Sequence, residues 1–494
     1  MNGFQQPTID WAALSPELIL LGGAAICLII PLFLPGGWRR PFSAVVGGLC
    51  FVGAGVAAGI LFAGDEAGVG IVADAIQRDR LAELAQIFVA GSGLLAVGVS
   101  IGWQREERTR AGEYYALLLS AGAGMSFFVA ASNLMTLFLG LEWFSISLYI
   151  LCAIAVDYLP SLESGLKYLI VGSFGSAILL FGSAFVYGAT GVIGYADIAA
   201  GTDEADRFLL VLGLALILVG LAFKASAAPF HMWTPDVYQG APTPVTGFMA
   251  AATKIAALVA SMRLLVTAFP GEARLWTIAL AVIACISLAW GNIAALIQTD
   301  IKRLLAYSSI SHAGFLLIPV AVGTSLGGRA LLFYLISYAA MNVGAFAVVA
   351  ARERELARPV TFDGLAGLGW ERPGLGIAMS LFMFGFIGLP PAGLFLGKFY
   401  AFSAAVQRGW AWLAIVGVIA TVISIYYYAG VVGAMYFRRS IEVRLAPAGG
   451  SPPRAWALSA TVVAAVVVTI GSFVAAGPLL DIARDAVSSL GFPY

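Results

Sequence analysis

Five charged side chains lie inside apolar stretches of the sequence, where an ionised group is least stable. They are Glu142, Lys167, Lys224, Lys254 and Lys398. An unpaired charge at the centre of a membrane helix costs about 3 kcal/mol, so five would cost roughly 15 kcal/mol, as much as the net stability of a typical domain. These groups must be paired, hydrated or partly neutral. One carboxyl group and four amines in an apolar setting are suited to binding and passing on protons.

Lys224 precedes a predicted break in its helix. Pro229 removes an amide hydrogen and crowds the carbonyl four residues back, so the helix must bend or open just past the lysine. Pro235, Pro242 and Pro244 then keep the chain out of regular helix until the next apolar stretch. Irregular backbone at membrane depth must face protein or a water-filled cavity, because lipid cannot satisfy the released polar groups.

Glu142 and Lys224 form the predicted proton switch. Apolar surroundings favour a neutral amine, whereas a nearby carboxylate favours the ammonium form. A change in the separation of the two groups would therefore bind or release a proton. Lys254 and His312 are candidate relays, and Lys398 is the candidate terminal group.

Two other residues each have two interpretations. Lys167 is either a neighbour that tunes Glu142 and Lys224 or a lysine that snorkels or packs. His231, just past Pro229, is either a hydrogen-bonding residue at a helix end or a further relay.

Polar residues recur at helical spacing close to these charges. The pairs and triplets are Glu142 with Ser145 and Tyr149, Ser308 with His312, Tyr307 with Ser311, and Tyr334 with Tyr338 and Asn342. Each stripe alone is more typical of interhelical hydrogen bonding than of a proton wire. Alongside the buried charges, they predict a continuous polar axis near the membrane midplane.

The composition indicates an all-α polytopic membrane protein. Hydrophobic residues make up 61% of the 494 residues and charged residues 11%, against about 25% charged residues in soluble proteins. The net charge of zero provides no basic surface for nucleic acid. Residues 1–17 contain no Lys or Arg, so the positive region of a cleavable signal peptide is missing and the first helix is expected to stay in the mature protein.

Apolar stretches long enough to span a bilayer predict about fourteen transmembrane helices. They cover residues 17–35, 42–63, 85–103, 114–131, 134–156, 163–188, 207–228, 243–266, 275–297, 303–322, 329–351, 374–396, 410–436 and 455–478. The four cysteines fall in these stretches without a C-x-x-C motif, as packing residues do. Two histidines make no haem, iron–sulfur or zinc pattern, so any redox chemistry is expected on another subunit.

Predicted helices 7 and 12 are both discontinuous. The second break lies at Gly385-Phe-Ile-Gly-Leu-Pro-Pro-Ala-Gly393, shortly before Lys398. Because the breaks are five helices apart, an odd number, the matching segments enter the membrane from opposite sides. Helices 4–8 and 9–13 are therefore predicted to form two inverted five-helix repeats, the pattern of ion sites in transporters. The predicted units are 1–112 with helices 1–3, 113–267 and 268–437 with the repeats, and 438–494 with helix 14.

The predicted loops on one side of the membrane hold fifteen Lys and Arg residues, and those on the other side hold eight. Because loops rich in Lys and Arg stay in the cytoplasm, the side with fifteen is predicted to be cytoplasmic. Both termini lie on the side with eight and are therefore predicted to be periplasmic.

The matched charges resemble the antiporter-like subunits of proton-pumping NADH:quinone oxidoreductase, respiratory complex I. In that family pattern Glu142 lies on helix five, Lys224 on broken helix seven, Lys254 on helix eight and Lys398 on broken helix twelve. The resemblance covers essentially the whole chain. Its core motif is Lys224-Ala-Ser-Ala-Ala-Pro-Phe-His-Met-Trp-Thr-Pro-Asp-Val-Tyr-Gln-Gly-Ala-Pro242, and residues 301–312 are also like the family.

The resemblance implies a proton-translocating chain of a bacterial inner membrane with no redox cofactor of its own. NADH, FMN, iron–sulfur clusters and quinone would be bound by other subunits, whose electron transfer drives protons from cytoplasm to periplasm. The implied neighbours are subunits M and K. Two alternatives remain open: a subunit of a multi-protein cation/proton antiporter, which shares the ancestral fold, and a scaffold whose lysines only pack helices.

Overall fold

The computed structural model describes residues 9–64, 69–72, 75–101, 103, 111–202, 205–438 and 456–494. Twelve helices among these residues are long and apolar enough to cross a membrane, and Pro373–Ile387 is a shorter apolar helix. The predicted all-α polytopic class is therefore confirmed. The predicted number of fourteen spans stays a prediction.

Helices follow one another along almost the whole described chain. The first seven are α1 (Ser15–Phe33), α2 (Gly36–Ala63), α3 (Arg80–Ile101), α4 (Ala111–Val129), α5 (Leu134–Ala153), α6 (Leu159–Thr190) and α7 (Tyr195–Gly201). The next are α8 (Arg207–Lys224), α9 (Thr234–Gly240), α10 (Thr243–Phe248), a π-helical turn (Met249–Thr253), α11 (Lys254–Ala268), α12 (Ala273–Ala295), α13 (Ile301–Val322) and α14 (Ser325–Leu356). The last are α15 (Phe362–Leu365), α16 (Leu368–Glu371), α17 (Pro373–Ile387), α18 (Gly393–Gln407), α19 (Ala411–Phe437), α20 (Trp456–Val474) and α21 (Ala476–Val487).

Predicted helices seven and twelve are each in two pieces, α8 with α9 and α17 with α18. Several short features were not predicted, among them the short helices α15 and α16. Strands β1 (Val69–Ile71) and β2 (Ile76–Arg78) form an antiparallel hairpin, and α7 and α21 are short helices. These elements are too short to give a spanning apolar stretch, which is the signal that located the others.

The centre of the fold consists of three spans. In the most apolar part of Thr243–Ala268 every residue is buried, and for α13 and α14 the buried share is 94%, whereas α2 is only 28% buried. A helix enclosed by other helices can carry polar groups without exposing them to lipid. Lys254, His312 and Tyr334 all lie on these inner spans.

Helices α6 and α8 approach closely because glycines face each other. A methyl group added to Gly182 would lie 2.7 Å from the carbonyl oxygen of Gly213, and one added to Gly213 would lie 2.8 Å from that of Gly182. Small residues at a helix crossing are the usual basis of tight packing in membranes. This contact holds α8, which ends at Lys224, against α6, which carries Tyr168.

A buried ion pair joins α11 to the start of α3. Arg263 is 1% exposed, and its two terminal nitrogens each donate to Asp79 over 2.5 Å, while Nε donates to Val129 O over 3.0 Å. Counting Arg263 among the eight positive charges of the loops was wrong, because the residue lies within α11 and is buried. Asp79 also accepts from the amide of Ala82 (2.8 Å) and so caps α3.

We expect Arg263→Met to destabilise the protein by about 3–5 kcal/mol, because it leaves the Asp79 carboxylate buried without its cation. Adding Asp79→Asn should recover most of this loss, since asparagine keeps the helix cap and removes the charge. Thermal unfolding of the purified protein measures both. The control is Arg484→Ala, which removes an exposed pair with Asp481 (3.2 Å) that is worth at most about 1 kcal/mol. Equal losses for Arg263→Met and Arg484→Ala would contradict this account.

Candidate functional site

The first helix break begins directly after Lys224. Ser226 has a φ of +59°, in the left-handed region that few non-glycine residues adopt, and regular helix resumes only at Thr234. Trp233 Nε1 donates to Phe223 O (3.2 Å). The Ala228 amide donates to Ser287 Oγ (2.8 Å). Side chains therefore replace hydrogen bonds that the broken helix has lost, as burial requires.

Lys224 lies in a cage of hydroxyl groups and aromatic rings. Its side chain is 1% exposed, and Nζ donates to Ser145 Oγ (2.6 Å) and Tyr168 OH (3.3 Å). Nζ also lies 4.6 Å from the ring centre of Phe144 and 5.8 Å from that of Tyr149. Ring faces attract a desolvated cation, and the hydroxyl oxygens can accept hydrogen bonds from the ammonium group of Lys224.

Glu142, the predicted partner of Lys224, does not touch it in this structure. No ion pair within 4.0 Å joins the two among the described residues. Glu142 lies one turn before Ser145 on α5, and its Oε1 is buried without a hydrogen-bond partner in the described part of the chain. A free buried acceptor on the helix that touches Lys224 is placed to take a proton or a cation that arrives from a neighbouring group.

Lys254 contacts the end of the broken helix. Its Nζ donates to the carbonyl of Ala225 over 2.9 Å, and the lysine is fully buried. It directly follows the π-helical turn, a feature that is frequent at functional sites. The carbonyl end of a helix carries partial negative charge and interacts favourably with a cation.

Lys398 makes the corresponding contact at the second break. Its Nζ donates to the carbonyls of Phe386 (3.0 Å) and Ile387 (2.9 Å), the last residues of α17. Gly388 follows with a φ of +94°, which suits glycine, and a methyl group there would lie 3.0 Å from Lys398 Cδ. Nζ also lies 4.1 Å from the ring centre of Phe315. Both breaks thus present helix-end carbonyls to a buried lysine from another segment.

His312 lies between two tyrosine hydroxyls in the centre of the fold. Nδ1 is 2.7 Å from Tyr334 OH, and Nε2 is 3.1 Å from Tyr428 OH. The Tyr428 hydroxyl is also hydrogen-bonded to Ser308 Oγ. A neutral imidazole accepts at one nitrogen and donates at the other, so this chain of groups can pass a proton between α14 and α19.

A second hydrogen-bonded chain lies beside the first. Asn292 Nδ2 donates to Ser311 Oγ (2.8 Å), and Tyr427 OH donates to Asn292 Oδ1 (3.0 Å). Tyr427 and Tyr428 were missed in the sequence. The signal available in the sequence was the run of three tyrosines, Tyr426-Tyr-Tyr428, within an apolar helix. In the structure Tyr426 is 73% exposed, whereas Tyr427 and Tyr428 are buried.

The comparisons with known proteins agree over most of the chain. The family described as "NADH:quinone oxidoreductase/Mrp antiporter, TM" matches residues 131–424. The chain is 42% identical to NADH-quinone oxidoreductase subunit N of Trichlorobacter lovleyi over 88% of this chain and 89% of the relative. It is 38% identical to the subunit of that name from Granulibacter bethesdensis over 98% and 100%. The chain belongs to the subunit N family of NADH-quinone oxidoreductases.

The three-dimensional likeness supports the same family. A chain of respiratory complex I from Thermus thermophilus, solved with bound aureothin, superposes with a TM-score of 0.79 at 32% identity, covering 95% of this chain and 99% of the other. Within the core motif, the wording Asp236-Val-Tyr-Gln-Gly-Ala-Pro242 predicts the N subunit rather than subunits L or M. The curated relatives carry that name.

Lys167 lies apart from the buried lysines of this N-family chain. Its Nζ pairs with Glu163 Oε1 and Asp236 Oδ2, each at 2.7 Å, and its side chain is 43% exposed. Asp236 also pairs with Arg303 (2.7 Å). Lys167 therefore ties α6 to α9, and through Asp236 to Arg303 of α13. These contacts suit the packing interpretation of Lys167 better than the interpretation in which it tunes Glu142 and Lys224.

His231 is buried against the ring of Trp290, at 5.7 Å between ring centres. Its Nδ1 has no hydrogen-bond partner in the residues that the structure covers.

The described residues also hold no group of three or more His, Cys, Asp or Glu side chains that could bind a metal. The arrangement of buried amines, hydroxyls and imidazole fits proton transfer.

We expect Ser145→Ala to slow proton transfer through Lys224 by about tenfold, because a hydrogen bond to a charged group contributes roughly 1.5–3 kcal/mol. The measurement is the initial proton-translocation rate of the assembled complex in vesicles. Ser147→Ala is the matched control. Ser147 lies on the same helix and contacts Ser120 (3.1 Å) and Trp143 (3.2 Å). Unchanged translocation by Ser145→Ala would remove Ser145 from the pathway.

Proposed function

We propose that this chain is the proton-translocating N subunit of an NADH:quinone oxidoreductase. The named relatives and the family match support the assignment to the complex. The contacts of Lys254 and Lys398 with the ends of two broken helices support a role in moving protons. A fully buried amine is expensive in a membrane protein, and two amines that each contact the end of a broken helix indicate ion handling rather than packing.

The proposed pathway uses Glu142, Lys224, Lys254 and Lys398, with His312 as relay. Proton transfer can begin at Lys224, because a hydroxyl accepts a hydrogen bond from an ammonium and donates one to a neutral amine. The contacts with Ser145 and Tyr168 are therefore compatible with both protonation states. An approach of the free Glu142 carboxylate would favour the ammonium form, and its withdrawal would favour release.

The driving force is proposed to come from other subunits of the complex. NADH, FMN, iron–sulfur clusters and quinone would be bound there, and electron transfer would change the charge or position of groups next to Glu142. Protons would then move from cytoplasm to periplasm. This chain's own contribution is a set of amines that are desolvated, hydrogen-bonded and held by rigid helices.

A neighbouring subunit is proposed to cover the outer face of α5. Four large apolar residues are exposed on that face, flanking Glu142 at helical spacing: Met135, Leu139, Ile146 and Ile150, at 49–52%. A carboxyl group among such residues is poorly placed against lipid. A second membrane subunit, with K on one side and M on the other, would shield it and supply a partner.

The two breaks also support the inverted repeat of helices 4–8 and 9–13. In the first half Lys254, from the following helix, donates to the end of α8, and in the second half Lys398, from the second piece of the same broken helix, donates to the end of α17. The units 1–112, 113–267, 268–437 and 438–494 are proposed on this basis. Both termini are proposed on the periplasmic side of a bacterial inner membrane. Six of the arginines that favour this orientation lie outside the described residues: Arg105, Arg108, Arg110, Arg439, Arg444 and Arg454.

A cation/proton antiporter subunit is the second candidate, because the family description also names the Mrp antiporter. The two functions differ in their energy source. Vesicles containing the assembled complex should acidify on addition of NADH and quinone. Proton movement driven by a sodium gradient without NADH would instead favour the antiporter.

We expect Lys254→Met to reduce NADH-driven pumping by about tenfold or more, because each 1.4 kcal/mol added to the transfer barrier slows the step tenfold. Methionine fills a similar volume but leaves Ala225 O without its donor and removes the protonatable group. Lys224→Ala and Lys398→Met should have similar effects.

The control for these variants is Lys167→Met, which removes a half-exposed lysine whose ion pairs are worth at most about 1 kcal/mol each, and it should change pumping by less than about twofold. Complex assembly is checked for every variant by native electrophoresis. Assembled Lys254→Met complexes that pump at the wild-type rate would favour the scaffold role.

A further inference from the structure

A second group of buried polar side chains lies where α1 and α3 begin, away from the lysines. Glu17 on α1 and Glu83 with Gln86 on α3 line a cavity of about 10 Å³, which the β1–β2 hairpin closes with Ile76 and Gln77. A space of this size holds about one water molecule. The proposed translocation pathway uses none of these residues.

Glu17 has an oxygen without a partner in this cavity. The residue is 5% exposed. Its Oε1 accepts from Gln86 Nε2 over 2.7 Å, whereas Oε2 is buried and finds no hydrogen-bond partner among the residues described. A buried carboxylate with a bare oxygen is strongly unfavourable, whereas a protonated carboxyl can donate from that oxygen to a water.

Two neighbouring carboxylates already have cationic partners. Glu83 pairs with Arg78 Nε at 3.3 Å, and Asp79 pairs with Arg263 at 2.5 Å. The guanidinium carbon of Arg80 lies 5.9 Å from the ring centre of Phe62. Glu17 takes part in neither of these ion pairs.

A bound metal cation fits the geometry less well than a proton. Gln86 presents its amide nitrogen to Glu17, so a donor occupies the position next to Oε1 where a cation would need a further oxygen. The Glu17 side chain in this cavity therefore fits a neutral carboxyl that accepts from Gln86 and donates to water.

We propose that Glu17 carries a bound proton and, with one water in this cavity, forms a proton-binding site separate from the lysine pathway. Ionisation of Glu17 would place a second carboxylate beside Glu83 and require hydration. Hydration would require the hairpin to move away from the cavity, against the hydrogen bonds that Gln77 N makes with Ala130 O (2.8 Å) and Ser132 N with Ala75 O (3.3 Å). The site is thus both a proton store and a pH-sensitive latch on the hairpin.

Infrared spectroscopy of the whole complex tests the bound proton. The difference spectrum of wild type minus Glu17→Gln at neutral pH should contain the C=O stretch of a protonated carboxylic acid, and that band should shift in D₂O. Gln86→Ala should keep the band and move its frequency, since the donor to Oε1 is lost. Asp485→Asn, an exposed position on α21, is the control and should remove no such band. A carboxylate band in place of the acid band would overturn the proposal.

Cysteine labelling tests the latch. Ala13 lines the cavity and is 6% exposed, so Ala13→Cys in a background without the four native cysteines reports opening to a membrane-impermeant maleimide. The labelling rate of the protein that retains Glu17 should rise with pH about tenfold more steeply per pH unit than the rate of the Glu17→Gln variant. The reason is that the ionised fraction of a single acid grows about tenfold per pH unit below its midpoint. Equal pH dependence in both backgrounds, or protection by sodium ions at constant pH, would refute the latch. Pumping by the lysines is a separate property, so its failure would leave both readouts unchanged.

Discussion

Lipid supplies no donors for the carbonyl groups that a broken helix releases, and this constraint determines where the buried lysines lie. Lys254 supplies the donor for Ala225, and Lys398 supplies it for Phe386 and Ile387, all over 2.9–3.0 Å. Each contact satisfies both groups, because the buried amine needs hydrogen-bond acceptors and the carbonyls at the helix end need donors. Neither the break nor the buried lysine would be stable alone, so the two form one structural feature.

Lys224 satisfies the same constraint in a different way. It ends its own helix and finds hydroxyl groups and ring faces, chiefly Ser145, Tyr168 and Phe144. Hydroxyl groups reorient between donating and accepting, whereas a carbonyl only accepts. Lys224 is therefore the amine whose surroundings adapt most easily to loss of a proton, and it lies beside the helix that carries the free Glu142 carboxyl.

The sequence was sufficient for the membrane class, the two breaks and the positions of the buried lysines, because apolar run length and proline act locally. It was insufficient for contacts between helices. Periodicity placed Glu142 and Ser145 on one face of a helix without showing that the serine, not the carboxylate, touches Lys224. Arg263 was counted as a loop charge, because nothing near it in the sequence pointed to Asp79, whose carboxylate makes its burial in α11 possible. Partners distant in sequence leave no local signal.

Aromatic side chains connect each break to its hydroxyl network, and this connection gives the site a means of transmitting change. Phe386 presents its carbonyl to Lys398 and its ring to Tyr428, at 5.6 Å between ring centres. At the first break, Trp233 donates to the end of α8 and stacks on Tyr168 at 4.5 Å, and the Tyr168 hydroxyl accepts from Lys224. A charge change that shifts either helix end must move a packed ring, because cores of this density lack free space. Movement of the Phe386 or Trp233 ring displaces the tyrosine that stacks on it, Tyr428 or Tyr168. The position of the helix end and the hydrogen bonds of the tyrosine hydroxyl therefore change together.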